Sequence, residues 1–168
     1  MARIALVVSV GALALACTST PNNRTFNYQV KSDVKEVSPG HWVGPWERRG
    51  VCVRMLGAKD EEAGIFTADG TFDGQWTSPT TVSSCSSKLR ATCTYADGSS
   101  HTDEANLTCK LGPDGKLVFE GQGVFVKGTG RFEGIQGTSK ILSSKHLTPP
   151  PEDMSYDVVD FKYTLLKK

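Results

Sequence analysis

The amino-acid sequence predicts an all-β protein, either an antiparallel sandwich or a barrel. Three observations lead to this prediction. Short runs of β-branched and aromatic residues alternate with polar residues, turn residues such as Asp-Gly separate these runs, and a glycine-rich segment at 123–137 lies near the end of the chain. Regular short strands joined by Asp-Gly turns are typical of both architectures.

The first candidate element is compatible with two structures. Phe26, Val30, Val34 and Val37 would share one face of a helix. In a strand, the residues on one face would instead be Phe26, Tyr28, Val30 and Val34. The content of β-branched and aromatic residues favours the strand.

The following elements show clearer strand patterns. In TFDGQW (71–76), Phe72 and Trp76 share one face. The next short runs are LRATCTY (89–95), EANLTCKL (104–111), KLVFE (116–120) and GVFV (123–126). Turn signals lie at 68–70, 96–99 and 112–115. The final run, DFKYTLL, places Phe161, Tyr163 and Leu165 on one face, after a proline-rich segment (148–153) that we interpret as a rigid connection.

The segment VFVKGTGRFEGIQGTSK (124–140) is glycine-rich enough to suggest a phosphate-binding loop. It lacks the G-x-G-x-x-G fingerprint, because the sixth position from Gly128 is Glu133, and it lacks a terminal G-K-[ST]. We therefore interpret its glycines as bends at a barrel corner, with Gly134 at a bulge. Phe132 and Ile135 would then be core residues, and Arg131 would point outward with Glu133.

The first 16 residues resemble a secretory signal peptide. Arg3 supplies the positive charge, and an apolar run and small residues follow. Ala14-Leu15-Ala16 fits ordinary cleavage, whereas the residues up to Cys17 resemble a bacterial lipobox in which Ala14 stands where Leu is usual. We expect a lipidated Cys17, a polar tether at 17–24, and a location on the outer membrane, facing the periplasm or the cell surface. A soluble periplasmic or secreted protein is the alternative.

Composition limits the partners. Removal of residues 1–16 leaves 152 residues with 18 basic and 18 acidic side chains. A neutral surface gives no electrostatic reason to bind nucleic acid or an anionic membrane. A chain of this length forms one domain, which we place at 25–168. No sequence feature points to a cofactor, and none sets the oligomeric state.

The cysteines support export. Besides Cys17, the chain has Cys52, Cys85, Cys93 and Cys109, an even number that permits three pairings. In an oxidising compartment we expect two disulfides. Cys93–Cys109 is favoured because the residues between them have the pattern of a hairpin, which leaves Cys52–Cys85. The spacing of the cysteines and of the three scattered histidines matches no zinc site, so we expect no metal.

The stretch PGHWVGPWERRG (39–50) is a candidate contact region. We expect a loop whose indole rings plug one end of the fold; the functional alternative is an aromatic rim that touches a ligand, with Arg48 or Arg49 contacting an anion. The candidate ligand contacts are Trp42, Trp46, Tyr95 and Trp76.

Two segments resemble a known group of proteins. KGTGRFEGIQGTSK (127–140), followed by a terminal strand, resembles the G-T-G-[KR]-[FY]-x-G-I-x-G signature of small exported bacterial proteins similar to the allene oxide cyclase-like barrel group, which includes the dirigent proteins. RRGVCVRM (48–55) resembles an early strand of that group. The resemblance spans roughly residues 45–166 and implies an eight-stranded, closed, antiparallel, calycin-like barrel whose lumen holds one small apolar molecule. No catalytic residue of the cyclases matches, so none is assigned.

Three functions are compatible with these features. The leading hypothesis is a non-enzymatic, disulfide-braced envelope lipoprotein that binds a small hydrophobic ligand in its lumen. The second is a cyclase or isomerase that shapes a reactive apolar substrate, with an inward polar group among Glu120, Tyr95, Tyr163 and Arg131. The third is a structural protein whose barrel is filled by Phe72, Trp76, Phe119, Phe125 and Phe161.

Overall fold

The computed structural model describes residues 18–56, 60–78, 81–111, 117–146 and 154–166. The expected signal peptide, Cys17, the expected turn at 112–115 and the proline-rich connection at 148–153 lie outside these ranges. The described residues form β1 (Thr18–Ser32), β2 (Lys35–Ser38), β3 (His41–Met55), β4 (Glu61–Ser78), β5 (Thr81–Tyr95), β6 (Ser100–Leu111), β7 (Leu117–Thr129), a short 3-10 helix (Gly130–Phe132), β8 (Ile135–His146) and β9 (Met154–Leu165).

Eight of these strands close into an antiparallel barrel, so the predicted fold class is confirmed. From β3 to β9 each strand pairs with the next along the chain, β9 pairs with β1, and β1 pairs with β3. The short β2 pairs with β3 beyond the point where β1 leaves it. Closure gives each barrel strand a partner on both sides, which removes the free edges through which open sheets aggregate.

The polar tether expected at 17–24 is wrong for its described part, because residues 18–24 belong to β1. Thr18 pairs with Tyr163 of β9, and Arg24 pairs with Val53 of β3. Backbone pairing with neighbouring strands orders this segment although its polar side chains lack a strand pattern.

Two segments expected to be irregular lie within strands. The turn expected at 68–70 is in the middle of β4, and the loop expected at 39–50 belongs to β3 from His41 onward. Gly70 faces the interior, where a Cβ would lie 2.7 Å from the indole of Trp46. The Asp-Gly pair therefore marks a close approach to the backbone rather than a turn.

The turn predicted at 96–99 is present and sets the register of the β5–β6 hairpin. It places Cys85 opposite Cys109, and these two form a disulfide with Cα atoms 4.9 Å apart. Cys52 and Cys93 are free and buried. The expected Cys93–Cys109 and Cys52–Cys85 pairings are therefore wrong, because the hairpin register decides which cysteines lie opposite each other.

Among the described residues, the buried apolar side chains form two clusters in the barrel interior. The large cluster consists of Cys52, Phe66, Ala68, Ala91, Cys93, Tyr95, Phe125, Phe132, Ile135, Phe161 and Tyr163. The small cluster consists of Cys85 and Cys109, with Phe72 and Phe119 packed against them. The β5–β6 turn lies beside the large cluster and the disulfide lies at the other end of that hairpin, so we call the two regions the aromatic end and the disulfide end.

The first strand confirms the strand interpretation but faces in an unexpected direction. Phe26, Tyr28 and Val30 are exposed on the outer wall, whereas Thr25 and Asn27 are buried in the interior. The pattern of period two predicted the alternation correctly, but it did not determine which face is inside.

The glycine-rich segment turns a corner of the barrel, as predicted. Gly130 begins the 3-10 helix between β7 and β8 with φ of 58°, a conformation that favours glycine. Phe132 and Ile135 are buried, so their predicted core positions are confirmed. Gly134 lies in the turn that follows the 3-10 helix rather than at a bulge. In β9, Phe161 is buried on the predicted face.

Candidate functional site

The four candidate ligand contacts do not form one site. Tyr95 lies at the aromatic end, Trp46 lies beside β5, and Trp42 is half-buried near the start of β3. Trp76 belongs to β4, but its side chain lies outside the described part of the structure. Cys17 lies outside it too, immediately before β1.

The indole of Trp46 is held between three strands of the wall. It passes over Gly70 of β4, and its Nε1 donates to Oγ of Ser87 on β5 at 3.1 Å. The Ser87 hydroxyl in turn donates to the carbonyl of Thr71 at 2.7 Å. These contacts hold the indole against the inner side of the wall, where it packs on the large cluster.

The most enclosed polar pair is Tyr95 and His101 at the aromatic end. The β5–β6 turn folds the two strands back on each other, so their inward-facing side chains meet. The Tyr95 hydroxyl and Nε2 of His101 are hydrogen-bonded at 3.0 Å. Only 3% of Tyr95 and 2% of His101 are exposed, so solvent does not compete for this bond.

Three phenylalanine rings surround His101. The ring centroids of Phe125, Phe132 and Phe161 lie 5.4, 5.2 and 5.3 Å from that of the imidazole. All three meet it edge to face, with interplanar angles of 76° to 90°, a favourable arrangement for aromatic pairs. We call His101 and these three rings the His101 cage.

Burial keeps the polar pair uncharged. Burial and the charges of Arg54 and Arg131 lower the pKa of His101 to about 4. Burial also raises the pKa of Tyr95 above its ordinary value. Within the described residues, Nδ1 of His101 has no hydrogen-bond partner. At neutral pH the pair can therefore exchange hydrogen bonds, but it supplies neither a cation nor a phenolate.

Charged side chains cover the aromatic end. Arg131 donates to Glu62, which raises the pKa of Arg131, and Arg54 donates to the Tyr163 hydroxyl. The guanidinium carbons of Arg54 and Arg131 lie 5.0 and 5.1 Å from the centre of the Phe132 ring. Arg131 is exposed as expected, but it folds back over the interior instead of pointing away. We call Arg54, Glu62 and Arg131 the charged cap.

Glu120, the remaining candidate for an inward polar group, faces outward. Glu120 is exposed and forms an ion pair with Lys110 at 2.9 Å. Its neighbours Phe119 and Gly121 occupy the positions on the inner face of β7. The prediction was wrong because a strand pattern alone does not show which face is inside.

Two free thiols meet in the interior across a strand. Cys52 on β3 and Cys93 on β5 are separated by β4, yet their side chains are hydrogen-bonded. Gly64 of β4 leaves the necessary space, since a Cβ there would lie 3.2 Å from Sγ of Cys52. Burial and the Cys52 thiol raise the pKa of Cys93 well above its ordinary value. A thiol of this kind stays protonated and is a poor nucleophile.

A second pair crosses a strand in the same way. Asp103 on β6 accepts a hydrogen bond of 2.6 Å from Ser139 on β8, over Gly123 of β7. A Cβ at Gly123 would lie 2.6 Å from the serine oxygen and 2.9 Å from the carboxylate. Burial raises the pKa of Asp103 to about 6 despite the bond from Ser139.

A polar network fills the interior beside β1 and β9. Asp157 accepts hydrogen bonds from Thr25 at 3.0 Å, Asn27 at 2.9 Å and Ser144 at 2.5 Å. Arg48 donates to the side-chain oxygen of Asn27 at 2.7 Å. These side chains satisfy one another, as buried polar groups must. Arg48, expected as an anion contact, is therefore engaged inside the barrel.

Two open hollows, of about 760 and 380 Å³, are lined mainly by outward-facing side chains. The larger crosses the wall from β3 to β7, and its lining includes Trp46, Val124, Lys88 and Glu104. Their charged linings differ from the apolar lumen that the resemblance implies.

His101, which lies at the centre of the aromatic end, was not among the predicted site residues. A signal was present in SHTDEANLTCKL (100–111). Counting back from Cys109 in steps of two places Leu107, Ala105, Asp103 and His101 on one face. A histidine sharing a face with a buried cysteine and leucine is a candidate interior residue.

Comparison of the chain with models of protein families, with curated proteins and with solved structures found no match. In the described part of the chain, no helix has the length and apolarity needed to cross a membrane. Within the same residues, no three His, Cys, Asp or Glu side chains are grouped so as to hold a metal ion.

Proposed function

We propose that this protein is an exported, lipid-anchored barrel of the bacterial cell envelope with a structural rather than a catalytic role. The observation that carries the proposal is the His101 cage, whose rings occupy the interior at the aromatic end. A pocket for a small molecule needs roughly 300 Å³ or more, and rings in edge-to-face contact fill that space. This favours a filled barrel over a lumen that binds or converts a ligand.

The polar side of the interior supports the same function. The carboxylate of Asp157 already accepts three hydrogen bonds, and Arg48 already donates to Asn27. A ligand entering here would have to break these bonds and replace each of them, because an unsatisfied buried polar group costs about 1–3 kcal/mol. A self-satisfied network instead stabilises the pairing of β1 with its neighbours.

The proposal of export and anchoring is supported by the signal-peptide pattern of residues 1–16, by Cys17 and by the disulfide. The Cys85–Cys109 disulfide fits an oxidising compartment. Because β1 begins at Thr18, opposite Tyr163, a lipid on Cys17 would attach directly to the aromatic end. The charged cap would then face the membrane surface, and the disulfide end would point away from it. Ordinary cleavage after Ala16 would instead release a soluble protein.

Native mass spectrometry of the protein purified from its host tests both parts of the proposal. We expect the mass of the mature chain plus a lipid, with no further small molecule bound. Cys17→Ser should move the protein from the membrane fraction to the soluble fraction. A small molecule that stays bound would contradict the filled barrel, whereas unchanged membrane association and mass would contradict the anchor.

A second candidate function is binding of a small apolar ligand, or its cyclisation or isomerisation, beside Tyr95 and His101. The observation that favours it is Nδ1 of His101, which has no hydrogen-bond partner among the described residues. A ligand could satisfy this buried atom. Small molecules extracted from wild-type protein and from a His101→Phe variant distinguish the candidates. A compound found only with the wild type supports the second function, and none in either supports the first.

A further inference from the structure

The outer wall carries a group of neighbouring exposed apolar side chains, with exposed Arg49 among them opposite Tyr28. We call these apolar side chains the outer apolar face. It consists of Phe26, Tyr28 and Val30 of β1, Val51 of β3, Ile65 of β4 and Met154 of β9. Their exposed fractions are 44%, 46%, 41%, 44%, 66% and 42% in that order. Single exposed apolar residues are ordinary, but a contiguous group of this kind marks an interaction surface.

Strand register joins these residues into one surface. Ile65 lies opposite Val51, Val51 opposite Phe26, and Phe26 opposite Tyr156 of β9. The rings of Phe26 and Tyr156 are in contact, with centroids 4.7 Å apart. The row crosses four adjacent strands, and Tyr28 pairs with Met154 in the next row of β1 and β9.

The interior fixes the outward direction of this face. Thr25 and Asn27, which alternate with the apolar residues of β1, are hydrogen-bonded to Asp157 inside the barrel. Turning β1 over would bury the aromatic rings but would expose these two side chains and break the network. On β1 the apolar side chains therefore face outward and the polar side chains face inward, which leaves the apolar face available for contact with another surface.

We propose that the outer apolar face is the docking surface for a second copy of this chain, packed wall to wall in a two-fold dimer. Together these partly exposed side chains present a few hundred Å² of apolar surface, the scale at which an exposed patch is often functional. A standard interface buries about 800 Å² per partner, with an apolar core and a polar rim. The face supplies the core of such an interface.

The rim fits a second copy. Ion pairs bound the face on both sides along β1: Arg24 with Glu61, and Lys31 with Glu47 at 3.8 Å. Each boundary carries both signs of charge, so two copies can approach without net repulsion. The processed chain is also neutral, with 18 basic and 18 acidic residues. Because the barrel strands are already paired on both sides, contact must occur through side chains rather than by strand addition.

The position of the face favours a protein partner over a bilayer. Phe26 lies opposite Val51, which is three residues, or about 10 Å along an extended strand, from Arg54 of the charged cap. With an anchor at Cys17 and the charged cap at the membrane surface, the face would lie on the side wall of the barrel rather than flat against the bilayer. The preference for a protein over a bilayer rests on the proposed anchoring, whereas the proposal of a dimer does not depend on the anchor.

Sedimentation equilibrium of the mature protein carrying Cys17→Ser tests the dimer without the anchor. We expect a monomer–dimer equilibrium, and we expect Ile65→Glu, at the most exposed residue of the face, to raise the dimer dissociation constant by about 30-fold or more, because a charge would be buried in the apolar contact. Val124→Glu is the matched control, since Val124 is 51% exposed on β7, away from the face. It should leave the dissociation constant unchanged, and equal thermal unfolding of both variants should show that both are folded.

Two results would overturn the proposal. One is a wild-type protein that stays monomeric at all concentrations, or a dimer that Ile65→Glu and Val124→Glu affect equally. The other is a monomeric wild type that sediments with phosphatidylglycerol-containing vesicles and loses that binding only in Ile65→Glu, which would assign the face to lipid. Neither result bears on the filled interior or on lipidation of Cys17, which the fractionation and mass measurements test separately.

Discussion

The two ends of the barrel interior are held together in different ways. At the aromatic end, a large cluster of buried side chains packs around His101. At the disulfide end, the described apolar side chains that pack against the Cys85–Cys109 bond are Phe72 and Phe119. Burial of apolar surface stabilises one end, and a covalent bond stabilises the other, where the described residues bury less apolar surface. The two ends should therefore respond to different perturbations.

The largest expected effect is truncation of a ring in the His101 cage. Phe132→Ala should lower the free energy of unfolding by about 4 kcal/mol, because it removes a ring that is 98% buried and leaves a cavity. Urea unfolding under oxidising conditions measures this loss. Val124→Ala on the outer wall is the control and should change stability by less than about 0.5 kcal/mol. Similar losses in both variants would show that the cage is not a core.

Removal of the disulfide should cost slightly less and should act at the other end. A Cys85→Ser/Cys109→Ser variant loses a bond that closes a loop of 24 residues, worth about 3 kcal/mol in the chain-entropy treatment. Urea unfolding should show the same loss for reduced wild type, and reductant should have no further effect on the variant. A variant as stable as the oxidised wild type would contradict the assigned role of this bond.

A third prediction concerns pH and distinguishes His101 from Asp103, two residues along β6. The pKa of His101 falls from 6.5 in the unfolded chain to about 4 in the fold. Between these pH values only the unfolded state takes up the proton, so acidification removes about 3 kcal/mol of stability. The pKa of Asp103 rises from 3.8 to about 6. For Asp103 the folded state takes up the proton at a higher pH than the unfolded state does, so acidification adds about 3 kcal/mol to the free energy of unfolding.

In the wild type these two contributions nearly cancel between pH 6 and pH 4. Asp103→Asn should expose the His101 contribution, with stability falling by about 1.4 kcal/mol per pH unit on acidification. His101→Gln should expose the opposite slope. Urea unfolding across this pH window measures both slopes, and slopes of the same sign in the two variants would refute the assignment.

The smallest expected effect concerns the free thiols at the aromatic end. Cys52→Ala removes the hydrogen-bond partner of Cys93 and should destabilise the protein by about 1 kcal/mol. In a Cys17→Ser background, a thiol reagent added to unfolded, unreduced protein should label two cysteines, and one after Cys52→Ala. Labelling of no thiols would show that Cys52 and Cys93 are also bonded.

Sequence patterns predicted the structure best where the feature depends on neighbouring residues. The alternation in DFKYTLL placed Phe161 and Tyr163 on one face, which the structure shows to be buried, and the glycine-rich corner placed Phe132 and Ile135 in the core. The Ala96–Ser99 turn was also predicted correctly. Each of these features depends on neighbouring residues, which the chain carries in order.

The prediction was wrong where distant strands decide the outcome. The Asp69-Gly70 pair has the composition of a turn, but Gly70 lies within β4 because the indole of Trp46 crosses above it. Gly64 and Gly123 similarly leave space for side chains from the flanking strands to meet. A sequence pattern does not show which strands flank a glycine, so it cannot show what the glycine accommodates.

The sequence by itself therefore determined the β class, the alternation within most strands and the corner between β7 and β8, because backbone conformation and side-chain period are local properties. Tertiary structure decided which face of each strand is inside, which cysteines pair and that His101 lies among three rings. These features depend on register and on closure of β1 against β3 and β9. A shift of one residue in register would turn Phe26 inward and Asn27 outward, with the same local pattern.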